Sequence, residues 1–208
     1  MRLRYKPWAK QLIAEHRDIA LNETDLDNLP HFEYLELGCG CGGFLIEKAL
    51  QNPDKHYLGV EKNYIAFSIA IKKLVGLENT PENIHFINAD ANKLFEKILP
   101  GSIEEIYLNF NDPWPKKKHH KRRLTYPSRL QVYFDLLKKG GKVLYKSDND
   151  GYFKDSCKYF KEFGKFDLLI KENYVKLEDG DVMSEYEQKF RKLGQPIHRI
   201  VGTKETEI

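Results

Sequence analysis

Strand-like and helix-like stretches alternate along most of this chain, and that alternation restricts the fold more than any other feature. HFEYLEL (31–37), HYLGVE (56–61), NIHFIN (83–88), IEEIYLNF (103–110), GKVLYKSD (141–148) and KFDLLIKENYV (165–175) read as strands. Between them, FLIEKALQN (44–52), residues 63–76, a short stretch near 92–98, SRLQVYFDLLKK (128–139) and residues 151–163 read as helices. Strand and helix alternating about every 25 residues implies βαβ units, with a mainly parallel sheet covered on both faces. Gly140–Gly141 predicts a helix stop before a strand. In such sheets ligands bind beyond the carboxyl ends of the strands. Those ends read Glu36-Leu-Gly, Glu61, Asn88-Ala-Asp90, Asn109-Phe-Asn-Asp112 and Ser147-Asp148. Each carries an acid or an amide that a purely structural sheet does not need.

At 208 residues the chain is long enough for a real hydrophobic core. We expect one domain over residues 26–208, preceded by a basic segment or helix over residues 1–25. No apolar run approaches the roughly 20 residues that span a bilayer, and no apolar signal core follows the basic opening MRLRYKPWAK. The expectation is a soluble, cytoplasmic protein with no membrane partner. Cys39, Cys41 and Cys157 are odd in number and have no framework spacing, so neither a disulfide scaffold nor a metal site is expected. His16, His31, His56, His85 and His198 are scattered and receive no role.

ELGCGCGGF (36–44) contains G-x-G-x-x-G as Gly38, Gly40 and Gly43, after a strand and before a helix. The pattern fits a dinucleotide or an adenosyl cofactor. Glu61, at the next strand end, suits a ribose diol in either case. Two acids favour S-adenosylmethionine. Glu36 would repel a pyrophosphate but suits a sulfonium and an amino group, and Asp90 can reach or organise an adenine pocket. A pyrophosphate prefers a positive helix N-terminus without such carboxylates.

NDPWPKKKHHKRR (111–123) joins a rigid aromatic turn to the densest charge in the chain. The whole chain is net +3, while Lys116, Lys117, Lys118, Lys121, Arg122 and Arg123 alone carry six positive charges. The rest is therefore net negative, and the positive charge is a local patch suited to a polyanion such as nucleic acid. Pro113 and Pro115 fix the backbone around Trp114, whose indole can stack on a base. The cations beyond it can hold phosphates, which makes binding steeply salt-dependent.

Taken together, ELGCGCGGF, NFNDPWPKKKHHKRRLTYP, KSDN, MSEYEQKFRKLGQPIHR and the opening MRLRYKPWA resemble the bacterial tRNA (guanine-N7-)-methyltransferases of the TrmB type, over essentially the whole chain. The resemblance implies a Rossmann-like class I methyltransferase fold, α/β with a seven-stranded, mostly parallel sheet and helices on both faces. It implies methyl transfer from S-adenosylmethionine to N7 of a guanine in the tRNA variable loop, usually position 46, by a monomer or a homodimer. Matched by motif, Glu36, Gly38, Gly40, Glu61, Asp90 and Asp112 fall on cofactor-binding positions. Lys116, Asp148, Ser184, Glu185, Tyr186 and Glu187 fall on substrate-binding positions. Lys118, His119, His120, Lys121, Arg122 and Arg123 fall on the RNA-contacting stretch. Cys39 and Cys41 stand where relatives often have Thr and Lys, and Ser147 and Ser184 where Thr is common, which keeps the hydroxyl.

Guanine N7 carries a lone pair and needs no deprotonation before it attacks a methyl sulfonium. The chemistry therefore asks for alignment and exclusion of water more than for a strong base. Asp112 is the expected catalytic residue, holding the guanine edge or stabilising the charge that moves onto it, with Asp148 able to act from the other side. Ser184 and Glu187 also form a capping-box pattern, Ser-x-x-Glu. The competing readings are an NAD-dependent oxidoreductase, a methyltransferase acting on an exocyclic amine, and a tRNA-binding module without cofactor.

Overall fold

The computed structural model describes residues 6–205, so the first five residues of the basic opening segment lie outside it. The chain divides into two compact units, one ending at Ile98 and the next beginning at Leu99. Among the described residues there are eight strands, four in each unit, one more than the resemblance implies.

In the first unit the strands are β1 (Ala20–Asn22), β2 (Tyr34–Leu37), β3 (Tyr57–Val60) and β4 (Ile84–Asn88), in the order β1-β4-β3-β2 and all parallel. Strand β1 comes from the segment expected to be a separate extension. So does helix α1 (Ala9–Glu15), which packs on α3 (Tyr64–Val75) with Lys72 Nζ 4.7 Å above the Trp8 ring. Strand β3 is buried at every position, as expected where helices cover both faces. Asn63 starts α3, its side chain accepting from the N–H groups of Ile65 and Ala66 at 3.0 and 3.1 Å.

The glycine turn lies between β2 and α2 (Gly43–Gln51), and one ring dictates part of its composition. Phe86 on β4 is fully buried. A β-carbon on Gly42 would lie 2.8 Å from Phe86 and 2.7 Å from Ala70, and one on Gly59 would lie 2.5 Å from Phe86. Gly42 also sits at φ +75°, where an L side chain is strained. Gly40, at φ +55°, would point a β-carbon into open space. Gly42→Ala is therefore expected to cost about 2–4 kcal/mol, from left-handed strain plus overpacking. Gly40→Ala should cost only about 1–2 kcal/mol, from strain alone. Urea unfolding of the two variants checks the difference; equal losses would mean that the Phe86 ring yields.

In the second unit β5 (Ile103–Asn109) and β6 (Leu137–Ser147) are parallel, and β8 (His198–Lys204) lies antiparallel between β6 and β7 (Phe166–Lys171). Helix α5 (Pro127–Leu136) ends earlier than expected, and Gly140–Gly141 lies inside β6 rather than between helix and strand. The register of β5 against β6 shifts between Ile103 and Glu105. There a β-carbon on Gly141 would meet three backbone carbonyl oxygens at 2.9–3.0 Å. The glycine permits a close backbone approach at a bulge rather than a helix stop. Helix α6 (Asp150–Phe163) starts on Asn149, whose side chain accepts from Tyr152 N–H at 2.8 Å. Helix α7 (Glu185–Lys192) precedes β8.

Candidate active site

The first unit places its acids at the carboxyl ends of β2, β3 and β4. Gly38, Gly40 and Gly42 all take positive φ, which folds the turn back beside β3. Gly40 N–H donates to Glu61 Oε2 at 2.9 Å, and Asn63 N–H donates to Glu61 Oε1 at 2.6 Å. The carboxylate is thereby oriented by two backbone donors. Glu36 is buried on β2. Burial, and after it the carboxylates of Glu36 and Glu61, push the Cys39 thiol well above its ordinary range, so Cys39 is a packed thiol and not a thiolate. Asp90 caps the short helix α4 (Ala91–Phe95), accepting from Asn92 N–H at 3.0 Å. It also pairs with Lys62 at 2.8 Å, and that hydrogen bond leads in holding its carboxyl below the usual range. Asn88 ties the two strand ends, its amide donating to Glu61 O at 2.8 Å. Glu61 and Asp90 thus share one rim, next to a turn that borders open space at Gly40. Buried and oriented carboxylates around an open glycine turn fit a cationic sulfonium with a ribose diol. The same set is a poor host for a pyrophosphate.

The second unit carries the NDPW turn at the end of β5. Phe110 (φ 51°) and Trp114 (φ 41°) both lie in the left-handed region, at about 1–3 kcal/mol each. Specific contacts hold both. Phe110 N–H donates to Lys146 O at 2.9 Å, and its ring stacks on Tyr186 and Phe190 at 6.5 and 6.3 Å. Arg123 Nε donates to Pro113 O at 2.7 Å. The Arg122 guanidinium lies 4.9 Å over the Trp114 ring, whose edge contact is His119 at 5.9 Å. Asp112 sits between the two strained residues, exposed, with no hydrogen bond or ion pair to any described residue. Asp148, just past the neighbouring end of β6, is equally unpartnered.

The basic run forms a 3-10 turn over Lys117–Arg122. Lys116, Lys117, Lys118, Lys121 and Arg122 face solvent, while His119 and His120 are half-buried. Arg123 departs from the expected RNA-contacting role. It is 3% exposed, pairs with Asp155 at 2.6 Å, and lies 5.0 Å over the Tyr152 ring. Its guanidinium points inward and anchors the NDPW turn by the Pro113 carbonyl, so it is not available to a phosphate.

Glu187 departs from the expected substrate contact in the same way. It is fully buried, with Oε2 on Lys146 Nζ at 3.0 Å and Oε1 on Arg191 at 2.7 and 2.9 Å. Ser184 does what the capping pattern implies, accepting from Glu187 N–H at 3.1 Å. Glu185 and Tyr186 are exposed on the same turn. The sequence reading missed Lys146 itself. This lysine is 3% exposed and also holds Asp181 at 2.7 Å and Val182 O at 3.1 Å. Tyr174 completes the group, donating to Asp181 Oδ2 at 2.7 Å. A lysine directly after the apolar VLY of an expected strand was the available signal.

A protein-family model described as "Putative methyltransferase" matches residues 31–200. The tRNA (guanine-N(7)-)-methyltransferase of Bacillus subtilis (strain 168) is 42% identical over 96% of this chain and 97% of its own length. This chain belongs to the tRNA (guanine-N(7)-)-methyltransferase family. That of Streptococcus uberis is 36% identical over 96% of this chain and 98% of its own. The fold is shared more widely. A solved structure described as an antibiotic related methyltransferase matches with TM-score 0.60 and 17% identity, over 99% of this chain and 97% of that one. The 16S rRNA methyltransferase KamB matches with TM-score 0.59 and 13% identity, over 88% and 92%. Membership in the tRNA (guanine-N(7)-)-methyltransferase family removes the oxidoreductase reading of the glycine turn. No helix among the described residues is long and apolar enough to cross a membrane.

Proposed function

We propose that this chain methylates N7 of a guanine in the tRNA variable loop, usually position 46, using S-adenosylmethionine. The observation that carries the reading is the difference between the strand-end acids. Glu61 and Asp90 are tied down by backbone or lysine donors, as suits a preformed cofactor rim. Asp112 and Asp148 are not tied to any described residue, as suits groups that meet a substrate.

Bound S-adenosylmethionine supplies a methyl group on a sulfonium. Glu36 would face its cationic end, Glu61 its ribose, and Asp90 would organise the adenine side, with Gly38 and Gly40 giving the turn its shape. Asp112 would orient the guanine edge and offset the positive charge that arises on the base when N7 uses its lone pair. Asp148 and Lys116 would flank it, with Ser184, Glu185 and Tyr186 on the neighbouring turn. Lys118, Lys121 and Arg122 would hold the tRNA backbone, with His119 and His120 beside them. We place this work in the cytoplasm, by a monomer or a homodimer.

The test is methyl transfer from labelled S-adenosylmethionine to an unmodified tRNA transcript, with products mapped by the strand cleavage specific to N7-methylguanine. One cleavage in the variable loop is expected, with tRNA affinity falling steeply as salt rises. Label incorporated without that cleavage would remove the N7 assignment.

A further inference from the structure

At the opposite ends of β2 and β3 from the glycine turn, three side chains converge. His31 and Glu33 precede β2, and His56 precedes β3. One ligand atom from each lies within 4.8 Å of the other two. His31 Nε2 is 2.8 Å from Glu33 Oε1, and His56 Nδ1 is 3.7 Å from Glu33 Oε2. The two imidazoles meet edge to face at 5.3 Å. Ligands on a tetrahedral zinc ion at about 2.05 Å stand about 3.3 Å apart, a value that lies between the two His–Glu33 separations.

The cluster is anchored by backbone. The N–H groups of Glu33 and Tyr34 both donate to His56 O at 3.2 Å, and His56 N–H donates to Glu33 Oε2 at 3.2 Å. The strand pairing therefore fixes the spacing of the two histidines, and a peptide donor orients the carboxylate between them. Such outer support is what metal ligands need. The three groups remain reachable, with His31 mostly exposed and His56 about half exposed. The four-residue strands separate this cluster from the acid rim by about 13 Å.

We propose that His31, Glu33 and His56 form a binding site for a single zinc ion, with water as the fourth ligand. Two neutral imidazoles and one carboxylate are borderline-soft donors that suit Zn²⁺ over Mg²⁺ or Ca²⁺. Held this way, the ion clips the starts of two adjacent strands and stabilises the first unit by binding only its folded form.

The test uses the full, tag-free chain stripped with chelator, titrated with Zn²⁺ against a chromogenic chelator, with thermal unfolding followed at each step. One Zn²⁺ per chain and a rise in Tm are expected. In His31→Ala and in His56→Ala the affinity should fall at least about tenfold and the rise in Tm should vanish. Both positions are solvent-accessible, so the variants are expected to fold. Wild-type protein that takes up no Zn²⁺ in competition would overturn the site. So would uptake that persists undiminished in the double variant, which would move the ion to other ligands.

Discussion

Asp112→Asn lowers the rate of methyl transfer by about 10²–10³-fold at saturating cofactor and tRNA, and leaves Tm where it was. Both halves of this expectation come from one geometry. The carboxylate is exposed and has no partner among the described residues, so the fold loses nothing when its charge is removed. Yet the residues on either side of it hold left-handed backbone conformations, each maintained by separate contacts. Strain kept in place around an unpartnered carboxylate is the pattern of a group positioned for a substrate. An asparagine keeps the size and one acceptor oxygen but cannot offset a positive charge on guanine. Single-turnover kinetics with pre-bound tRNA measures the step directly. A wild-type rate in Asp112→Asn would move the charge-compensating role to Asp148. A matched loss in rate and Tm would mean that the turn had collapsed instead.

Lys146→Met destabilises the protein by about 3–5 kcal/mol, since it leaves the Asp181 carboxylate in the interior without its cation and the Glu187 carboxylate with Arg191 alone. For a chain of this size that is about 6–20 °C in Tm. It is also a large part of the roughly 5–15 kcal/mol that a domain has in total. The effect exceeds that of a surface ion pair because Lys146 and Glu187 are 3% and 0% exposed as side chains, and water screens neither. The double variant Lys146→Met/Glu187→Gln should recover part of the loss, because it removes one of the two carboxylate charges that faced Lys146. Urea denaturation of the single and double variants measures both values. A single-variant loss below about 1 kcal/mol would show that Arg191 and Tyr174 alone satisfy the acids.

Much of this arrangement was legible in the sequence, and what was not legible has a common cause. The βαβ alternation, the glycine turn and the acids at the strand ends depend on local pattern, and local pattern is what a sequence displays. Strand β1 was missed because three residues are too few to show a period. Strand β6 was started too late because Gly140–Gly141 looks the same at a helix stop and at a bulge. Arg123 and Glu187 fall on positions expected to contact RNA and substrate, and residues of their types are usually solvent-facing. Their burial depends on Pro113, Asp155, Lys146 and Arg191, which are brought to them only by the folded second unit. His31 and His56 looked scattered for the same reason. A separation of 25 positions vanishes once Tyr34 pairs with Tyr57.

The position of β8 has a consequence for synthesis on the ribosome. It lies between β6 and β7, yet it is made last of the three. Until it emerges, β6 and β7 each present an unpaired edge towards the missing strand. The 33 residues that follow Lys171, up to Lys204, take roughly 2–7 s to translate at about 5–20 residues per second. For those seconds the nascent second unit offers two open strand edges to any neighbouring chain. A message that stops short of β8 makes that interval permanent, so its product is expected to be a substrate for chaperones and proteases rather than a slightly shortened enzyme.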